Sequence, residues 1–429
     1  VWGSFLLVVY AGLALLPLVL ATSAEPKSGL DLVDEWGKGV ALVGFTLLIL
    51  QTVLSARLSW IERPFGLDAV MRFHKGMAVF AMGLLLAHPL LLAAGHAGWE
   101  VLGLDTSWGV NLGKLGLLIL ILGVTFALTL RRTQMDYNTW RILHKGMILV
   151  PILGVFHSFK VGSDLEYSSL QIYWGLLIAG ALILFAYRNI YMPFKGGRLL
   201  RVKEIRQESE DVHTLAFEPV DGKPFVYGPG QFWFLRLLRP GRPSPSEEHP
   251  FTLSSSPTDG SLTSTIKSSG NFTNTISQTR VGDRARVEGP FGRFSQAHLP
   301  KAEAFIFVAG GIGITPIMST LRYLRDTGDR RPVVLLWGNR TEKDVLFRTE
   351  LDEMPEHIRH VHVLSGCGET WTGEQGYITA DLIKEHTAHL LNRAHLFLCG
   401  PPPMMDAVQK ELRTLAFDES RLHTENFSL

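Results

Sequence analysis

Four histidines lie in or beside long apolar stretches of the sequence: His74 and His88, fourteen residues apart, and His144 and His157, thirteen apart. At 1.5 Å of rise per helical residue, the members of each pair stand about 21 and 20 Å apart along a helix axis. Fourteen residues is close to four turns and places His74 and His88 on one face. Thirteen leaves His144 and His157 more than a third of a turn apart, a difference that a kink at Pro151 would absorb. On helices running in the same direction, His74 comes level with His144 and His88 with His157. An imidazole turned toward lipid is costly and needs a partner. A low-spin iron between two neutral imidazoles supplies one and suits the passage of single electrons. For any one of these histidines, a hydrogen bond between helices serves as well. Zinc is a further reading, although the nearest carboxylates, Glu62 and Asp68, fall toward a loop. His96 reads as a solvated or interfacial ring.

These side chains need helices to hold them. Apolar runs near 3–21, 39–56, 76–94, 115–130, 146–159 and 167–187 recur in the first half, two of them reaching full length only with their flanking turns. Each is then long enough to cross about 30 Å of hydrocarbon, so we read six transmembrane helices with the histidines on the third and fifth. Ala21-Thr22-Ser23-Ala24 resembles a cleavage site after an apolar stretch, but no basic residue precedes it, so the first run reads as a retained helix. Arg57, Arg63, Arg72, Lys75, Arg131, Arg132, Arg141, Lys145 and Arg188 fall on one side of the bilayer, against Lys27, Lys38, Lys114 and Lys160 on the other. The richer side is expected to be cytosolic, and the chain leaves the sixth helix there.

Charge divides the chain: residues 1–193 hold 24 charged side chains and residues 194–429 hold 57. A net charge of +1 argues against a nucleic-acid partner. With only Cys367 and Cys399, neither a disulfide framework nor a Cys-rich zinc site can be built. From Arg198 to about Val287, short alternating runs such as LLRVKEI, VHTLAF, FWFLRLL and SLTSTIK predict an antiparallel β-barrel. Beyond 303 strands alternate with helices, through FIFVAG, VVLLWG, a helical stretch near 343–353, IRHVHVLS and a last strand at HLFLCG. That pattern predicts a parallel sheet with ligands outside its carboxyl edge.

Gly310, Gly311 and Gly313 follow the first of these strands and open a helix, which suits a diphosphate or is simply a structural turn. Arg340, after the second strand, would lie near an adenosine ribose, where a cation favours a 2′-phosphate; it also reads as a solvated loop arginine. Cys399 ends a strand before Gly400, so its sulfur would face a nicotinamide cleft or fill the core. HPFTLSSSP at 249–257 offers planar packing and a hydroxyl, and IKSSGNFT at 266–273 offers Lys267 beside amides around Gly270, suited to a phosphate. Each also reads as a polar barrel loop.

In this order, the histidine spacings, HPFT, GGIGITP, CGPPPM and a phenylalanine near the carboxyl terminus closely resemble the NADPH oxidase and ferric reductase superfamily over nearly the whole chain. The resemblance implies a multidomain membrane protein. A six-helix bundle with two b-type haems (1–193) precedes a ferredoxin-reductase-like module, made of an FAD-binding β-barrel (194–300) and an α/β NADPH domain (301–429). It implies that His74 and His144 hold an inner haem and His88 and His157 an outer one. His249, Pro250, Phe251 and Thr252 would meet the isoalloxazine, with Thr252 near N5, and Lys267, Gly270 and Thr273 would hold FAD phosphates. Gly311, Gly313, Thr315 and Pro316 would form the NADPH phosphate turn, Cys399 and Gly400 the nicotinamide side, and Phe427 the flavin cover, with Ser428 and Leu429 bent away.

Leu92 departs from the pattern, standing where many eukaryotic oxidases carry a further histidine four residues past the outer haem ligand. With no calcium-binding loop ahead of the first run, the likeness is to a compact, constitutively active bacterial form in the inner membrane, its reductase domain cytoplasmic. The implied reaction takes electrons from NADPH through FAD and two haems to oxygen, giving superoxide, or to a ferric chelate. No obligate protein partner is evident. A relay to an extracytoplasmic protein, docked on outer loops at 22–38 and 95–113, and a cofactor-free membrane scaffold are the rival readings.

Overall fold

Side chains of the first half are apolar on nearly every helical face, and lipid is the solvent that such helices fit. A computed structural model describes residues 2–21, 29–129, 135, 137–163, 168–192, 196–239, 247–368 and 370–426. Two units result, Val1–Lys195 and Gly196–Leu429. Among the described residues, six helical spans are long and apolar enough to cross a membrane: Trp2–Leu20, Leu30–Ser55, Leu67–Ala94, Trp108–Thr129, Thr139–Val161 and Ser168–Tyr191. Leu122, Phe156 and Ile183 are exposed, whereas Leu120, Val150 and Leu170 are buried in the bundle.

The helices are α1 (Trp2–Leu20), α2 (Leu30–Ser55), a short α3 (Ser59–Phe65), α4 (Leu67–Ala94), α5 (Trp108–Thr129), α6 (Tyr137–Lys145), α7 (Leu149–Val161) and α8 (Ser168–Ala186). The loop expected at 22–38 is therefore helical from Leu30, and the one at 95–113 contains a 3-10 turn at Trp99–Leu102 and ends at Trp108. Small residues bring helices together in pairs. Side chains of Leu91 and Leu92 lie against Gly37 of α2, Leu84 and Leu85 against Gly44, and on the other pair Lys160 and Leu153 lie against Gly109 and Gly116 of α5. Without a Cβ at these glycines, backbone approaches backbone closely.

The fifth span is not one continuous α-helix. A 3-10 turn, Gly146–Ile148, separates α6 from α7. Pro151 sits in the first turn of α7, where it lacks an N–H and its ring crowds the carbonyl four residues back. The irregularity thus falls one turn ahead of the proline. Three residues rising about 2.0 Å each, against 1.5 Å in an α-helix, recover about 1.5 Å, the rise of the one residue by which thirteen falls short of fourteen.

In the second unit, β1 (Arg198–Gln207), β2 (Val212–Pro219), β3 (Phe232–Leu238), β4 (His249–Thr252), β5 (Leu262–Lys267) and β6 (Arg284–Phe291) form an antiparallel sheet in the order β4-β3-β6-β1-β2-β5. Its inward residues, among them Leu200, Val202, Leu215, Trp233, Leu235 and Val287, are buried together. The parallel sheet comprises β7 (Ala304–Gly310), β8 (Val333–Asn339), β9 (Ile358–Leu364), β10 (Glu374–Gln375), β11 (Ala394–Cys399) and β12 (Leu422–Glu425), in the order β10-β9-β8-β7-β11-β12. HLFLCG is therefore not the last strand: β12 follows it and pairs parallel to it. Helices α9 (Ile314–Asp326), α10 (Arg348–Asp352), α11 (Ala380–Thr387) and α12 (Pro402–Thr414) connect the strands. Strand order reverses between β7 and β11, the place where such sheets bind ligands.

Candidate functional site

In the membrane unit, the structure brings His74 to His144 and His88 to His157. Both pairs have ring centroids 6.3 Å apart and ring planes 76° apart. That spacing leaves room for one metal atom between two ring nitrogens at about 2 Å from each, the length of a metal–imidazole bond. The outer rings are also oriented for it. His88 Nδ1 lies 2.9 Å from the Gly37 carbonyl and His157 Nδ1 2.9 Å from that of Gly109. A carbonyl only accepts, so Nδ1 carries the proton and Nε2 keeps its lone pair for a ligand, the usual arrangement around a metal-bound histidine. The glycines described above are what let each ring reach the backbone behind it. A Cβ on Gly113 would press on the His157 ring at 2.7 Å. His144 stacks on Trp140, 5.1 Å away. His96 stays out of this set: its exposed ring is 2.7 Å from Asp34, tying the end of α4 to α2. The donor set, two imidazoles per level and no carboxylate grouped with them among the described residues, fits a haem iron better than zinc.

At the barrel, β4 pairs with β3 and sets His249, Pro250, Phe251 and Thr252 in a row. His249 stacks on Phe272 at 4.2 Å, and Phe251 lies 5.9 Å from the same ring. Phe272, buried in the barrel core, backs both rings; it stands inside the 266–273 run but was not singled out there. Glu247 holds His249 Nε2 at 2.8 Å. Thr252 is buried, its carbonyl accepting from Ser264. The amides beside Gly270 are engaged rather than open: the Thr273 hydroxyl accepts from the Ser269 and Gly270 N–H groups at 2.8 and 2.9 Å. Lys267 pairs with Asp211 at 3.2 Å and lies 3.9 Å from Asp344. A phosphate there must displace local partners.

The hydroxyl-rich run after β4 does a second job. Ser319, Arg322 and Asp326, at i, i+3 and i+7 on one face of α9, meet it. Ser319 donates to the Ser255 carbonyl at 2.7 Å, Arg322 to that of Ser254 at 2.5 Å, and Thr258 donates to Asp326 at 3.1 Å. Arg322 also forks onto Glu350 at 2.8 and 2.5 Å. Burial raises the Glu350 pKa, but Arg322 and Arg325 outweigh it and hold the carboxyl below its ordinary value. Barrel and nucleotide sheet are latched through α9.

At the reversal point, β7 runs into a 3-10 turn, Gly311–Gly313, and then α9. Gly311 has φ +50°, and a Cβ on Gly313 would overlap the Cys399 carbonyl, so the turn and the end of β11 touch through backbone. Thr315 is buried and donates to the Ile312 carbonyl at 3.1 Å, while Pro316 is buried in the first turn of α9. Cys399 takes the core-filling one of its two expected places. It is fully buried within the core that includes Trp337, Phe397 and Ile314, so its sulfur packs rather than lining an open cleft. Its backbone and Gly400 form that wall. Glu425, buried and in register with Cys399 on β12, was missed with its strand. Arg340 is exposed just past β8. Phe427 lies outside the described residues.

Residues 40–155 match the family described as "Ferric reductase like transmembrane component", residues 199–308 an FAD-binding domain, and residues 307–410 an "Oxidoreductase NAD-binding domain". The glycine betaine monooxygenase reductase subunit of Pseudomonas aeruginosa is 34% identical over 241 residues, covering 54% of this chain and 64% of that protein. NADH-cytochrome b5 reductase 1 of Kluyveromyces lactis is 32% identical over 157 residues, 35% of this chain and 56% of that one. The chain therefore spans less than two thirds of either relative. The flavohem-like FAD/NAD binding domain of nitric oxide dioxygenase from Vibrio cholerae superposes with TM-score 0.48 at 22% identity, over 54% of this chain and 98% of that one. A ferric-reductase-like membrane component followed by FAD- and NAD-binding domains is the architecture of the NADPH oxidase and ferric reductase superfamily, and this chain carries it.

Proposed function

We propose that this protein moves electrons from cytosolic NADPH across a bacterial inner membrane to molecular oxygen on the outer side, releasing superoxide. The observation that carries the reading is the pair of histidine couples at two levels of one bundle, both 6.3 Å apart, in a chain that continues into FAD- and NAD-binding domains. FAD, when bound, turns a hydride into single electrons, and bis-histidine haem iron carries them one at a time. The chain's own residues place and insulate these groups. His74 with His144 and His88 with His157 hold the irons, and the Gly37 and Gly109 carbonyls fix the outer ring tautomers. His249, Pro250, Phe251 and Thr252 flank the flavin ring, with Phe272 behind them and Phe427 as the remaining cover. Lys267, Gly270 and Thr273 take the FAD phosphates. The turn Gly311, Gly313, Thr315 and Pro316 takes the NADPH diphosphate, Arg340 the 2′-phosphate, and Cys399 and Gly400 back the nicotinamide. The basic side of the membrane half sets the reductase unit in the cytosol.

Leu92 favours a second reading, ferric-chelate reduction. It packs on Gly37 at the outer end of α4 and offers no proton donor or ligand to oxygen. The test is NADPH-driven cytochrome c reduction by purified, loaded protein with and without superoxide dismutase, beside ferric-chelate reduction under nitrogen. Loss of most of the cytochrome c signal with dismutase supports oxygen as acceptor. A dismutase-resistant signal with fast anaerobic iron reduction sinks it in favour of the metal.

A further inference from the structure

Folded proteins bury few polar atoms without partners, and each one marks a group that something else satisfies. Two such side chains stand on one face of the parallel sheet, at the carboxyl ends of neighbouring strands. Asn339, the last residue of β8, is 8% exposed, and neither its amide nitrogen nor its oxygen has a hydrogen-bond partner. Neither ring nitrogen of His362, on β9, has one either. The register pairs Trp337 with His362 and Asn339 with Leu364, so amide and imidazole flank the Trp337 indole on the same side. The Trp337 and His362 rings are 5.6 Å apart, and the indole N–H donates to the Gly311 carbonyl at 3.0 Å. The three side chains therefore form one cluster tied to the glycine turn.

A phosphate would call for cations and N–H groups alone. This cluster instead sets donors beside acceptors: a carboxamide offers both, and so does a neutral imidazole. Burial, with His360 and Arg348 nearby, keeps His362 neutral, its pKa lowered to about 4; Asp352 opposes them. A purine carrying an amino group next to ring nitrogens is the complement, and a carboxamide pairs with adenine through two bonds at once. We propose that Asn339 and His362 read the adenine base of the dinucleotide, an inference that rests on the NAD(P)H reading above. Arg348 and Asp352, which lie near His362, belong to α10, so that short helix borders the cluster.

Calorimetric titration of the full-length protein with NADP+ and NAD+, and with the counterparts of each that carry hypoxanthine in place of adenine, tests this. The adenine forms should bind about tenfold or more tightly than the hypoxanthine forms, the discrimination expected of one bidentate pair. Asn339→Leu and His362→Phe should each weaken the adenine forms toward the level of the hypoxanthine forms. Equal affinity of the wild-type protein for both bases overturns the inference without need of a variant, so a misfolded variant does not obscure the answer. Binding of none of the four nucleotides would instead sink the dinucleotide reading itself.

Discussion

His88 offers the sharpest test at the residue scale, because its ring is held from both sides: Nδ1 by the Gly37 carbonyl, and the opposite edge facing His157 across 6.3 Å. His88→Ala should lower the haem content of the purified protein from two per chain to one, read as a pyridine haemochrome. The inner pair should remain, since His74 and His144 make their own contact. Two haems retained in the variant would remove the assignment. Arg340 belongs to the same scale. It lies exposed just past β8, so its charge is available to a ligand. An exposed cation beside a phosphate is worth on the order of 1 kcal/mol, so Arg340→Ala should cut the preference for NADPH over NADH in flavin reduction about fivefold. An unchanged ratio would show that the 2′-phosphate lies elsewhere. The histidines were legible in the sequence because each pair lies within one membrane span, where spacing along the chain sets depth. Cys399 stayed open between two readings because a residue at the end of a strand can face either the crevice or the core, and only packing with Phe397 and Trp337 separates them.

At the scale of elements, the fifth span shows how one residue of mismatch is taken up. Thirteen and fourteen residues cannot be level on two regular helices, yet both histidine pairs have the same centroid distance. The turn Gly146–Ile148 supplies the difference. Pro151→Ala restores an N–H at that position and favours a continuous α-helix. The couples would then fall about 1.5 Å out of level. Haem per protein should drop below two, and the two steps of a redox titration should merge or shift; two unshifted steps would show that the turn forms without the proline. In the other unit, Arg322 joins barrel to nucleotide sheet. Arg322→Ala should lower stability by about 2 kcal/mol, since it removes charged hydrogen bonds to Glu350 and leaves the Ser254 carbonyl unpaired. Flavin reduction by NADPH should slow several-fold while FAD content is kept, measured by stopped flow; an unchanged rate would make the latch structural only. Alternation found the strands because burial repeats every second residue, and run length found the six spans because lipid accepts apolar side chains on every face of a helix. Alternation missed β10 and β12, which are two and four residues long and owe their place to pairing with β9 and β11.

At the scale of the whole molecule, solvent acts on the reductase unit through pH. The reductase unit buries histidines as neutral rings. His423 is held down to about 4 by burial, with His395 and Arg293 beside it, and His362 to about 4 by burial, with His360 beside it. His395 and His423 face each other at 3.0 Å across β11 and β12, where two protonated rings would repel. In the unfolded chain each of these histidines titrates near 6.5, so between about 6.5 and 4 the unfolded state binds more protons than the folded one. The sign follows: their contribution to stability is full above pH 6.5 and is lost as pH falls through that window. Asp329, held below its ordinary value by Arg331, adds a further loss in more acid solution. The melting temperature of the reductase unit, followed by flavin fluorescence in the full chain, should therefore be flat above pH 7 and fall steadily from about 6.5 downward. His423→Gln, which keeps a hydrogen-bonding side chain on β12 but cannot take up a proton there, should flatten part of that slope. A melting temperature constant from pH 7 to 5 would mean that these rings take up protons in the folded protein as readily as in the unfolded chain. The stacking of His423 on Phe397 at 4.6 Å would then have to be read as a cation against an aromatic face.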